Sequence, residues 1–194
     1  IQQHSIKRML AYSSVAHAGY MLLAMPVMSG DSMYAIMMYL VMYLFMNLGA
    51  FFVVITVQNK TGGETFDDYK GLGWEMPMIG IVMTIFMVSL TGLPPTAGFI
   101  GKFYIFASLI KGGNEFYWLV MIGGINSVIS LFYYLRVVKV MYFEGESHEK
   151  IVQPPTVMAA LLLATAIPTV LLGVYWTPIA DWVQRSLVFF IQTL

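Results

Sequence analysis

Apolar residues fall into long blocks separated by short polar punctuation. The first block runs from about Met9 to Met28, opened by Lys7-Arg8 and closed by Pro26, Ser29 and Gly30. The second, Met33 to Gln58, follows after a turn of a few residues, so the two predict an antiparallel helix pair. A polar loop, Asn59 to Gly73, carries Gly62-Gly63 and the acids Glu64, Asp67 and Asp68. Glu115 to Phe143 and Thr156 to Tyr175 are two further blocks, the latter with Pro168 as an expected kink, and a charged loop from Glu144 to Pro155 divides them. Blocks near 20 residues with few charges predict membrane-spanning helices. The last stretch, Ile179 to Leu194, is amphipathic and short, which predicts a helix lying at the membrane interface.

The block from Trp74 to Lys111 breaks the pattern. Its apolar run stops at Thr91-Gly92-Leu93-Pro94-Pro95 and resumes at Thr96 with Lys102 inside it. Pro94 and Pro95 lack amide protons and clash with a continuing helix, while Gly92 and Gly98 admit backbone close to the break. Pro77 suits a first helical turn. The reading is one discontinuous helix over about residues 75–111, broken near 92–96. Irregular backbone at membrane depth is tolerated only inside protein or beside a wet cavity.

Composition then sets the class. Of 194 residues, 59% are hydrophobic and only 10% charged, with mean hydropathy +0.76, which describes an all-α integral membrane protein. Zero net charge gives no basic surface for nucleic acid. The absence of cysteine excludes disulfides, thiolate zinc sites and iron–sulfur ligation from this sequence. Sixteen methionines suit adaptable packing between helices.

Charge also orders the spans. If the broken block crosses once, Lys7, Arg8, Lys60, Lys70, Arg136, Lys139 and Lys150 share one side, and Lys111 and Arg185 the other. Two crossings would leave six against three, a weaker bias than seven against two, so five spans with Ile1 inside are expected. Residues 1–178 then form one transmembrane domain and 179–194 a tail. Because the chain opens on Ile1 rather than Met, it reads as the C-terminal part of something longer.

Two titratable groups lie deep. Lys102 precedes Lys111 by nine residues, on the order of 13 Å along a helix and close to mid-bilayer. An ammonium there is costly and marks a functional candidate. Two readings stand: an amine that exchanges protons, or a lysine satisfied by carbonyls freed at the break. No acid lies in any span, so a charge partner would be water, another helix or a segment outside this sequence. His17, with Ser13 and Tyr20 on its face, is either a proton relay or a neutral packing residue. Polar stripes, Tyr39/Tyr43/Asn47 and Asn126/Ser130/Tyr134, suit interhelical hydrogen bonding or a supporting polar path. Arg136 and Lys139 read as interfacial anchors, and Glu144, Glu146, His148 and Glu149 as solvated surface rather than a metal cluster.

Several ordered motifs carry a resemblance. Ile6-Lys7-Arg8-Met9-Leu10-Ala11-Tyr12-Ser13-Ser14, His17-Ala18-Gly19-Tyr20, Tyr43 to Phe51, Asp68 to Leu72, and Ser89 to Phe103 together resemble subunit N of the proton-pumping NADH:quinone oxidoreductase, bacterial complex I. The match covers about residues 6 to 143. The resemblance implies an antiporter-like helix bundle, with Lys102 as the lysine of an outward half-channel and His17 on the central polar axis. It implies a subunit of a translocating enzyme in the bacterial inner membrane, or the mitochondrial or thylakoid membrane. Flavin, iron–sulfur clusters and quinone would belong to other subunits, and partners would include neighbouring antiporter-like subunits. The alternatives are a cation/proton antiporter subunit, a membrane-bound hydrogenase subunit, or a non-conducting scaffold.

Overall fold

The computed structural model describes residues 3–145 and 153–192. Glu146, His148 and Glu149 lie outside them. Eight α-helices occur among the described residues: α1 (Ile6–Ala24), α2 (Gly30–Thr61), α3 (Leu72–Glu75), α4 (Pro77–Thr91), α5 (Ala97–Gly112), α6 (Tyr117–Phe143), α7 (Thr156–Val174) and α8 (Thr177–Gln192). Helix α2 is the central post. Its 32 residues span about 48 Å, longer than a hydrocarbon core. Ser29 and Ser32 cap its start reciprocally, which satisfies amides that have no helical partner. Met38, Met42, Met46, Ala50, Val53 and Val57 recur along its inner side, all fully buried, and α1, α4, α5, α7 and α8 pack around it. In lipid this packing gains dispersion rather than hydrophobic free energy, so close fit matters more than apolar area.

At one end of the bundle, the N-terminal strand-like residues are tied to the 62–71 loop. Ile6 donates its amide to the Glu64 carbonyl (2.9 Å) and Phe66 to His4 (3.0 Å). The Trp74 indole donates to the Tyr142 carbonyl at the end of α6. At the opposite end, Lys111 of α5 meets Asp31 of α2 (2.9 Å), and Gly112 abuts Val27. The α4–α5 stretch therefore starts at one end and finishes at the other. Its first arm begins later than expected from Trp74. Pro77 forces Met76 out of helical geometry, so Leu72–Glu75 forms a separate turn, and the Phe66–Glu75 stretch is bent 118° from Pro77–Thr91.

Among the described residues, three stretches are long and apolar enough alone to cross a membrane, Gly30–Thr61, Asn114–Phe143 and Thr156–Val174, and the bent pair Phe66–Glu75 with Pro77–Thr91 brings the number to four. The expected five also counts α1 and the α4–α5 pair. Helix α7 runs unbroken through Pro168. Helix α8 leans its Ile179–Val183 side on α2 and α5 and leaves Trp182 and Arg185 exposed. Gly173 of α7 sits against the Pro95 carbonyl and Thr96, so α7 braces the break directly.

Candidate functional site

The break generates its own acceptor site. Gly92 closes α4 with φ 88°, a left-handed conformation that needs no β-carbon. Its amide donates to the Ser89 carbonyl (2.9 Å), and that of Leu93 reaches back to Val88 (3.2 Å). Those bonds serve the carbonyls of Val88 and Ser89. The next two, Leu90 and Thr91, are left without helical donors, because Pro94 and Pro95 have no amide proton to give. The peptide bond between these prolines is cis. Across the break, α5 restarts at Ala97, and the Gly98 amide donates to Ser89 Oγ (3.1 Å). A β-carbon on Gly98 would overlap the Ser89 carbonyl, so the two arms approach as closely as backbone allows.

Lys102 occupies the acceptor site. It is 4% exposed, and its stem lies against Gly92. Nζ donates to the Thr91 carbonyl (2.7 Å), the Leu90 carbonyl (3.2 Å) and Ser127 Oγ (3.3 Å), and lies 4.6 Å from the Tyr20 ring centroid. The carbonyl end of α4 and the π face both favour a cation. Among the described residues no carboxylate is a partner, and the groups that hold the amine there are neutral.

Two hydrogen-bonded clusters extend inward. In the first, Tyr20 Oη bonds Ser127 Oγ (2.7 Å), donates to the Gly123 carbonyl (3.2 Å), and accepts from Asn126 Nδ2 (3.2 Å). In the second, His17 places Nδ1 2.6 Å from Tyr39 Oη and Nε2 3.0 Å from Tyr134 Oη, and Tyr134 continues to Ser13. Ring contacts join the clusters: Tyr20 lies 6.0 Å from His17 and 6.3 Å from Tyr39. A cavity of about 490 Å³ opens from Thr91, Lys102 and Ser127 past Phe103 to Lys111. Another, of about 430 Å³, starts beside Gln3 and Tyr12 and reaches Ser13, Asn126 and Tyr133. Polar groups thus run from a cavity at the N-terminal end, through Tyr20 and Ser127, to Lys102 and a cavity facing the other end.

Residues 1–130 match the model of the NADH:quinone oxidoreductase/Mrp antiporter transmembrane family. The chain belongs to that family. Over 188 residues it is 52% identical to NADH-quinone oxidoreductase subunit N 2 of Sorangium cellulosum, covering 96% of this chain and 37% of that protein. A chain of respiratory complex I from Thermus thermophilus superposes with TM-score 0.74 at 28% identity, over 93% of this chain and 40% of that one. A chain of the archaeal membrane-bound sulfane sulfur reductase gives TM-score 0.83, also at 28% identity, over 96% and 38%. The chain therefore spans well under half the length of its relatives.

Within this antiporter-family chain, the expected residues divide. The structure brings Lys102, Gly92 and Gly98 together at the break, with Pro94 and Pro95 between the arms. His17, Ser13 and Tyr134 form one cluster, and Asn126 joins the other. Tyr43 stacks on His17 (4.9 Å), but its buried hydroxyl has no hydrogen-bond partner among the described residues. Asn47 keeps a buried carbonyl oxygen without a partner, and the Ser130 hydroxyl turns back to the Ser127 carbonyl (2.7 Å). These last two are placed beside the clusters rather than in them. Lys102 finds its partners in freed carbonyls together with Ser127, a geometry that both readings of this lysine share. The sequence reading passed over Ser127, and Tyr39 entered only as one member of a stripe. Ser127 is one residue from Asn126, and the crossing of α6 over α5 selects which of the two faces the amine.

Proposed function

We propose that this chain forms the outward-leading half of a proton-translocating membrane subunit of NADH:quinone oxidoreductase. One observation carries the reading: a buried amine at a helix break, bound by neutral acceptors only, stands between a polar relay and a cavity. Hydroxyls donate and accept, so Ser127 and Tyr20 can hand a proton along without a net change at either group. His17, held between two phenols, can take a proton on one ring nitrogen and release it from the other. Lys102 would load from this interior path and release toward Lys111. A change in its proton affinity of one pKa unit requires about 1.4 kcal/mol, which charge movement elsewhere in the assembly can supply.

Identity of 52% with a subunit N supports the oxidoreductase over a cation/proton antiporter or hydrogenase setting. The single traverse of the α4–α5 stretch and the seven-to-two charge bias support five crossings, with the N-terminal end inside a bacterial inner membrane. Other membrane subunits would be its neighbours, including antiporter-like ones. Flavin, iron–sulfur and quinone chemistry would reside in other subunits, in keeping with a sequence that has no cysteine. The bonds from Lys102 to Leu90 and Thr91 favour a second reading, in which the amine only staples the break.

The test is Lys102→Ala in the full-length subunit within the assembled complex, in sealed vesicles. Proton uptake per NADH oxidised is expected to fall at least about tenfold, the scale of general acid–base loss, while assembly persists. Normal pumping with a neutral residue 102 refutes the proposal. Loss of assembly in Lys102→Ala and its restoration in Lys102→Arg, without pumping restored to match, supports the staple.

A further inference from the structure

The cavity that leaves Lys102 reaches the end of α5, where Lys111 stands at the surface. Ala107 and Lys111 form part of its wall and also line a second cavity of about 370 Å³, with Asp31, Tyr34, Tyr104 and Gln184. Lys111 stands where the two meet, and its ammonium is paired with Asp31 at 2.9 Å. Each charge sits at a helix end that suits it: Asp31 in the first turn of α2 and Lys111 in the last turn of α5. We propose that the Asp31–Lys111 pair is an electrostatic gate at the mouth of the Lys102 cavity, and that Asp31 acts by cancelling a positive charge on the release route. This rests on the proposed function above.

The physics is simple. A proton leaving Lys102 outward approaches Lys111, which lies on the order of 13 Å away along α5. An unpaired ammonium there repels it. Coulomb's law, between watery and near-surface effective dielectric, makes that repulsion worth about a two- to tenfold slowing. Pairing with Asp31 removes most of it. An isolated surface ion pair adds little to stability, so holding the helices together is a weak reason for this placement.

The experiment uses the full-length subunit in the assembled complex, in vesicles, with pumping read as proton uptake per NADH oxidised. Asp31→Asn is expected to slow pumping about two- to tenfold, more at low than at physiological ionic strength. Asp31→Asn combined with Lys111→Gln is expected to return pumping to within about twofold of the parent, since no uncancelled charge remains. A mechanical staple predicts the opposite, with the double variant as impaired as the single one. Normal pumping in Asp31→Asn, or an impaired double variant, overturns the gate. Should Asp31→Asn fail to assemble, the exchange Asp31→Lys with Lys111→Asp is read instead. Restored pumping supports the gate, and lost pumping overturns it. Lys102→Ala is run in parallel. If it pumps normally, the proposed function has failed and the gate falls with it; if it is impaired while Asp31→Asn is normal, only the gate has failed.

Discussion

The looped end of the bundle and its middle treat positive charge in opposite ways. At the looped end, cations meet anions or π faces: Lys7 pairs with Glu64 (3.4 Å), Lys60 with Glu75 (2.9 Å), Lys70 with Asp67 (2.5 Å) and Lys139 with Glu144 (3.1 Å), while Arg136 lies over Phe66 (4.3 Å). In the middle, Lys102 has only carbonyls, a hydroxyl and a phenol ring. A fixed ion pair would stabilise the ammonium and resist proton loss. Neutral acceptors hold it buried without that fixed counter-charge, as the proposed proton release requires. The comparison separates charge used to hold loops from charge positioned to change.

Substitutions can break that comparison in order of size. Gly98→Ala places a methyl group into the Ser89 carbonyl and is expected to cost about 3 kcal/mol, read as lost complex yield and a lower inactivation midpoint. Tyr20→Phe removes the hydroxyl that links Ser127 and Asn126. Its stability cost is on the order of 0.6 kcal/mol, the average for hydrogen bonds between membrane helices, whereas pumping is expected to fall several-fold. Equal, small changes in both would remove Tyr20 from the path. Tyr43→Phe deletes a hydroxyl that is poorly partnered, so stability and pumping are expected to stay near parental values.

The smallest effect belongs to the looped end. Lys70 holds the Asp67 carboxyl below its usual range, and Asp67 in turn raises Lys70. The depressed acid contributes stability above its unfolded pKa and loses it as pH falls through the folded value. The raised base contributes below its unfolded pKa and loses it as pH rises through the folded one. Asp67→Asn is therefore expected to lower the thermal midpoint only slightly at neutral pH, with the difference from the parent vanishing as pH falls through the folded carboxyl value. Both side chains are open to solvent, where such pairs count for little.

Much of this architecture is legible in the sequence because backbone chemistry dictates it locally. Gly92 followed by the adjacent Pro94 and Pro95 favours a helix end, and Pro77 a first turn, so the interruption follows from residue type, whereas Pro168 alone leaves α7 unbroken. His17 also announces itself, as a titratable group amid apolar neighbours. What cannot be read is which hydroxyl meets which ring nitrogen. Tyr39, Tyr43 and Asn47 share one helical face, yet only Tyr39 bonds His17, because the crossing of α1 and α2 brings the Tyr39 hydroxyl to a ring nitrogen and lays the Tyr43 ring flat against the imidazole. Ser127 is hidden for the same reason. A serine in an apolar helix has no distinguishing pattern until Lys102 and Tyr20 converge on it.

The bracing of the interruption has a mechanical consequence. With Gly98 seated on Ser89 and Gly173 seated on Pro95, neither arm can swing without colliding with main chain. The segment around residues 92–96 is a fixture and not a joint. On the proposed proton path, any cycle here would fall to rotating hydroxyls and a pivoting amine within a stationary frame.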